Sequence, residues 1–228
     1  MRASFAEHSN LVDRLQLLGI TLLALVSVIA DASPLAVTVR DRNGMPVKDV
    51  VVIARAANSN DKTIDDPQPA VMDQMNRQFA PFVIAVRAGT SVLFANSDSV
   101  AHQVYSFSQA RPFELGLYRG KPRTPIVFDK PGVVVLGCNI HDNMIGYVYV
   151  TDAPHFGTTN AAGQWHSRDL NAGEYTVEIW TPRASARESA LKKSIVVPQS
   201  AGPSIEFKFE NTLAPAPAAL REQRLRDY

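Results

Sequence analysis

The sequence predicts an all-β protein made of two β-sandwiches, one inserted in or flanked by the other. Short runs of Val, Ile, Phe and Tyr recur between Gly, Pro, Asn and Asp, the punctuation of strands and turns. No long stretch before the C-terminus carries the 3.6-residue period of an amphipathic helix. Glu174–Trp180 alternates polar and apolar residues with the two-residue period of a half-buried strand.

The first 32 residues read as an export signal. Leu15–Ala30 is uncharged and rich in Leu, Ile, Val and Ala; it falls short of the roughly 20 residues of a membrane span. Ala30-Asp31-Ala32 offers a small-x-small cleavage site. Arg2 and Arg14 are offset by Glu7 and Asp13, so an uncleaved anchor is the alternative. Either reading places the rest of the chain in an oxidising, extracytoplasmic compartment. Cleavage after Ala32 removes 32 of 228 residues and leaves 196, enough for one large or two small domains.

The strand expectations follow in chain order. Residues 33–58 hold two strands, Ala36–Arg40 and Val47–Ala54, around Asp41-Arg42-Asn43-Gly44. The Asn-Gly pair favours the positive backbone angles of a tight hairpin turn. Residues 57–70 are polar, contain Pro, and read as a linker or surface loop. A second block, 71–152, is expected to carry strands near 71–75, 82–86, 91–96, 101–107, 124–129, 133–138 and 145–151. A third, 156–212, carries strands at Gly163–Trp165, Glu174–Trp180, Ser194–Val197 and Ser204–Phe209. The end, 213–228, is low in complexity and is expected to be a disordered tail. The first block is too small to fold alone and the third is thin; joined, they make one outer sandwich with the middle block inserted.

Composition excludes some functions. The formal net charge of +1 and the absence of a basic stripe give no footprint for nucleic acid. The single cysteine rules out an internal disulfide. In an exported protein it is a free thiol, an intermolecular link or a metal ligand.

That cysteine is the centre of the functional reading. Cys138 ends the apolar run Val133–Gly137 and opens Cys138-Asn139-Ile140-His141-Asp142-Asn143-Met144. His102 lies 36 residues upstream, in Asn96-Ser97-Asp98-Ser99-Val100-Ala101-His102. A thiolate, two imidazoles and a weak axial thioether form the donor set of a blue-copper site. His102, Cys138, His141 and Met144 are therefore the candidate ligands of one type 1 copper ion. Taken singly, Cys138 reads as a core thiol, His141 as a loop residue and Met144 as a core plug; their joint occurrence in this order favours the metal. His155 and His166 are too few for a trinuclear cluster, and one cysteine cannot bridge a binuclear centre, so no copper enzyme is expected. Met45, Met72 and Met75 are too scattered for a Cu(I) site and read as core packing.

Residues 71–152 resemble the cupredoxins: plastocyanin, pseudoazurin and, in ligand-loop length, amicyanin. Phe79-x-Pro81, then Val86-x-Ala88-Gly89-Thr90-x-Val92-x-Phe94-x-Asn96, resembles the run leading to the first histidine, and Phe128-x-x-Pro131-Gly132 precedes the cysteine strand. The resemblance implies a cupredoxin Greek-key β-sandwich. Asn160-Ala-Ala-Gly-Gln-Trp165 and Leu170-Asn-Ala-Gly-Glu-Tyr175 resemble a carboxypeptidase-regulatory-like, Ig/transthyretin-like β-sandwich. The whole chain resembles cupredoxin-containing proteins labelled "methylamine utilisation protein". Two departures stand out. Gln103 replaces the Asn that follows the first histidine and braces the ligand loop, and Asp142-Asn143 replaces an aromatic or Pro, which predicts a more hydrated loop.

The resulting expectation is a monomeric, periplasmic, non-enzymatic copper protein. It passes single electrons through the edge of His141 to a transient partner, a dehydrogenase or a cytochrome c. It has no nucleic-acid partner and no membrane span after cleavage. The alternative is a copper carrier or buffer, or an envelope binding module, without electron flow. Arg111, Arg119, Lys121, Arg123 and Lys130 form a locally basic segment, read as a solvated rim or as a docking patch for an acidic partner.

Overall fold

A computed structural model describes residues 34–58, 67–120, 124–167, 170–199 and 202–216. The expected signal at 1–32, the tail from 217, Lys121 and Arg123 lie outside the described residues.

The described chain is all-β. Its strands are β1 (Ala36–Arg40), β2 (Val51–Ala56), β3 (Ala70–Met75), β4 (Gln78–Ala80), β5 (Val83–Arg87), β6 (Thr90–Phe94), β7 (His102–Ser106) and β8 (Phe113–Tyr118), then β9 (Ile126–Phe128), β10 (Gly132–Gly137), β11 (Ile145–Thr151), β12 (His155–Thr158), β13 (Gln164–His166), β14 (Gly173–Trp180), β15 (Ala190–Val197) and β16 (Ser204–Lys208). Four sheets form, ordered β13-β1-β16, β12-β2-β14-β15, β4-β3-β6-β9 and β5-β11-β10-β7-β8.

The first two sheets combine strands from both ends of the chain. Tyr175, Val177 and Ile179 of β14 meet Val37 and Val39 of β1, Val52 and Ala54 of β2, Trp165 and Phe207 in one buried cluster. This burial of alternate side chains is what the period-two pattern dictates. The other two sheets enclose a second cluster that includes Phe94, Phe128, Val134, Leu136, Cys138 and Met144.

The turn after β1 departs from the expected hairpin. Only Gly44 takes a positive φ, 81°; Asn43 instead donates its backbone N–H to Asp41 Oδ1. β1 and β2 do not pair but lie in different sheets. β1 instead meets the segment before β2 at the isolated Arg40–Pro46 bridge, closed by Asp41 N–H to the Met45 carbonyl and Val47 N–H to the Val39 carbonyl. Asp49, at φ 60°, precedes the entry into the opposite sheet.

β2 is buried on both faces. Val52 and Ala54 face the outer core. Val51 and Ile53 join Val83 and Ala153 in a third cluster, flanked by Phe82, Tyr147, Tyr149, Phe156 and Trp180. Trp180 packs across Tyr147 and Tyr149 at centroid distances of 5.8 and 5.2 Å. This apolar seam joins the two sandwiches, and Arg55 pairs with Asp152 at its edge.

Three strands were not expected. β4 is short; β8 and β12 carry Gly116 and Gly157, which weaken a strand signal. At the C-terminal end, where a disordered tail was expected from 213, Ala214 donates its N–H to the Arg183 carbonyl and accepts from Arg183 Nε. Of the three methionines read as core, only Met72 is buried; Met45 and Met75 are exposed.

Candidate metal centre

The ligand loop is built by two turns between adjacent antiparallel strands. β10 delivers Cys138 and β11 follows Met144, with Gly137 opposite Ile145. Met144 N–H donates to the His141 carbonyl at 2.9 Å, and His141 N–H donates to the Cys138 carbonyl at 3.4 Å. This winding turns Cys138 and Met144 inward while Asn139, Ile140, Asp142 and Asn143 remain exposed. Gly137 leaves room for the Tyr105 side chain where β10 meets β7: a Cβ there would lie 2.6 Å from the Tyr105 ring, which would have to shift.

His102 opens β7 on the neighbouring side of the same sheet and is completely buried. Cys138 Sγ lies 3.8 Å from His102 Nδ1 and 3.8 Å from His141 Nδ1. The three donor atoms all lie within 4.8 Å of one another, and the two rings are 4.9 Å apart at 56°. Thiolate and imidazole bond lengths to a first-row ion, about 2.3 and 2.1 Å, allow two ligands of one ion to lie up to about 4.4 Å apart. The sulfur–nitrogen distances fall within that limit, and the soft, borderline donor set suits copper. Met144 is buried in the same core cluster as Cys138 and lines the same cleft, about 490 Å³, beside Tyr105 and Phe107.

The centre is graded in exposure. His141 is partly exposed while Cys138 and Met144 are buried at 3% and 1%. Desolvation, the neighbouring His102 and the Arg77 guanidinium all hold the His141 imidazole below its ordinary pKa, against a smaller opposing pull from Asp98. It therefore offers a neutral nitrogen further into acid than a free histidine.

Outer contacts fix the donors. His102 Nε2 is 2.7 Å from Asp98 Oδ2. Asp98 is also held by the backbone N–H groups of Asn76 and Arg77, at 2.6 and 2.8 Å. Burial raises the Asp98 pKa, but these hydrogen bonds outweigh it and leave the carboxyl below its usual range. Gln103, the residue that departs from the familiar Asn, braces the loop itself: its Oε1 accepts from Asn139 Nδ2 at 2.8 Å. Below the site Tyr118 donates to the Phe94 carbonyl; burial first, with Asp73 and Cys138, and against a hydrogen bond from Gln74, pushes its pKa to about 12.

Sequence reasoning missed Asp98. It lies four residues before His102, but in a loop leading into a strand, where no periodicity links the two positions. The turn that holds it comes from another hairpin, at Asn76–Arg77. The remaining described histidines join no second centre among the described residues: His155 meets the Tyr175 ring edge-on and His166 is exposed.

No protein-family model matches the chain, and no curated protein matches it. Among solved structures, similarity is found to a Cu-containing nitrite reductase from Thermus scotoductus SA-01, with 26% identity over 42% of this chain and a TM-score of 0.35. The chain spans a quarter of that enzyme's length. A purple cupredoxin from Nitrosopumilus maritimus is 23% identical over 37% of this chain and 100% of its own, with a TM-score of 0.32. A pseudoazurin from Sinorhizobium meliltoi is 23% identical over 37% of this chain and 75% of its own, at a TM-score of 0.30. These structural neighbours are cupredoxins or contain copper.

Proposed function

We propose that the chain is a periplasmic type 1 copper protein that passes single electrons between partners and is not itself an enzyme. The observation that carries this reading is that the donor atoms of His102, Cys138 and His141 lie within 4.8 Å of one another, with Met144 buried in the same cluster as Cys138. Cys138 would supply the thiolate, His102 and His141 the imidazoles, and Met144 the weak axial thioether. Bound copper supplies the one-electron couple.

The chain's own part is to hold these donors still. β7, β10 and β11 belong to one hydrogen-bonded sheet, and the two loop turns add local restraint. A donor set that moves little between oxidation states keeps the reorganisation cost of electron transfer small. His141 is the most exposed of the four side chains, so its edge is the proposed port. Exposed Ile140 and Ile145 beside it suit brief apolar contact with a dehydrogenase or cytochrome c.

Voltammetry of the copper-loaded full chain tests the electron-carrier role. A reversible one-electron wave is expected. A protein that holds only Cu(I) and gives no reversible wave would instead be a copper carrier.

A further inference from the structure

We infer that Asp98 is a positioning residue of the metal centre: its carboxylate takes the His102 Nε2–H, turns the Nδ1 lone pair toward Cys138, and favours the oxidised ion over the reduced one. The inference rests on the copper reading given above.

Three observations carry it. His102 is completely shielded from solvent, so water cannot satisfy its distal nitrogen, and Asp98 Oδ2 sits 2.7 Å from that nitrogen. The carboxylate is itself immobilised. Asn76 and Arg77 take left-handed φ values of 54° and 58°, which aim both backbone N–H groups at its two oxygens. From the other side, Asp98 N–H donates to Asn96 Oδ1 at 3.0 Å, and Asn96 Nδ2 is tied to the Val100 and Tyr118 carbonyls.

A clamp for the β3–β4 turn would need only the two backbone bonds. The third, to the ligand imidazole, makes the carboxylate part of the centre. An imidazole whose distal N–H meets a carboxylate is a stronger base toward its metal, and such partners matter to affinity by about 10–100-fold. A fixed negative charge on this side stabilises the ion of higher charge more than that of lower charge.

The test uses three readouts on the full chain. Nitrogen NMR of the metal-free wild type should show His102 as the Nε2–H tautomer; the Nδ1–H tautomer would overturn the inference. In Asp98→Ala that preference should be lost. In copper-loaded Asp98→Asn, Cu(II) affinity should fall about tenfold or more relative to Cu(I), which for one electron raises the potential by about 59 mV. A folded variant with unchanged potential would overturn the proposed bias. If the wild type takes up no copper, the electron-carrier reading fails, while the tautomer measurement still decides the role of Asp98.

Discussion

Gln103 Oε1 accepts a hydrogen bond from Asn139 Nδ2 at 2.8 Å. The residue after one histidine is thus stitched to the residue after the cysteine, across two strands. Gln103 Nε2 in turn donates to Glu114 on β8, so the brace reaches the sheet edge. Gln103→Ala should lower stability by about 0.5–1.5 kcal/mol. The measurement is urea unfolding of metal-free wild type and variant; an unchanged midpoint would mean the brace is idle.

Gly137→Ala should destabilise the protein, because the new methyl would sit 2.6 Å from the Tyr105 ring. Overpacking of this kind costs about 1–3 kcal/mol. Tyr105→Ala in the same chain should recover part of the loss. Thermal unfolding of the single and double variants separates a local clash from damage to the loop.

The His141 imidazole is held below its ordinary pKa of 6.5 in the folded, metal-free chain. The unfolded chain therefore binds this proton first as pH falls. The contribution to stability is complete above the unfolded pKa and is lost as pH drops toward the lower folded value. The wild type should lose urea resistance across that window, and His141→Gln should lose less. Parallel slopes for the two proteins would contradict this assignment.

Ile53 is 3% exposed and lies in the seam between the sandwiches, on the face of β2 away from the outer core. Ile53→Ala should cost about 2–5 kcal/mol yet leave the copper spectrum unchanged, since Cys138 and Met144 belong to a different cluster. Calorimetry and a visible spectrum of the same sample check both halves of this expectation.

The grouping of His102, Cys138 and His141 was legible because a lone cysteine, two histidines and a methionine stand in an order with chemical meaning. Strands with clean alternation, such as β14, were legible for the reason given by their burial. What could not be read came from long-range geometry. Nothing local says that the carboxylate of Asp98 meets His102, because the turn that holds it belongs to β3 and β4. The two-sided burial of β2 was hidden as well, since Val51–Ala54 reads as an apolar run whichever sheet covers it.

Titration of the metal-free full chain with Cu(II), followed by visible absorption, tests the central claim most directly. One equivalent should develop a strong thiolate-to-copper band near about 600 nm, absent in Cys138→Ser and retained in Met144→Gln with a shifted potential. No band at any copper loading, or an equal band in Cys138→Ser, would contradict a copper centre at His102, Cys138 and His141.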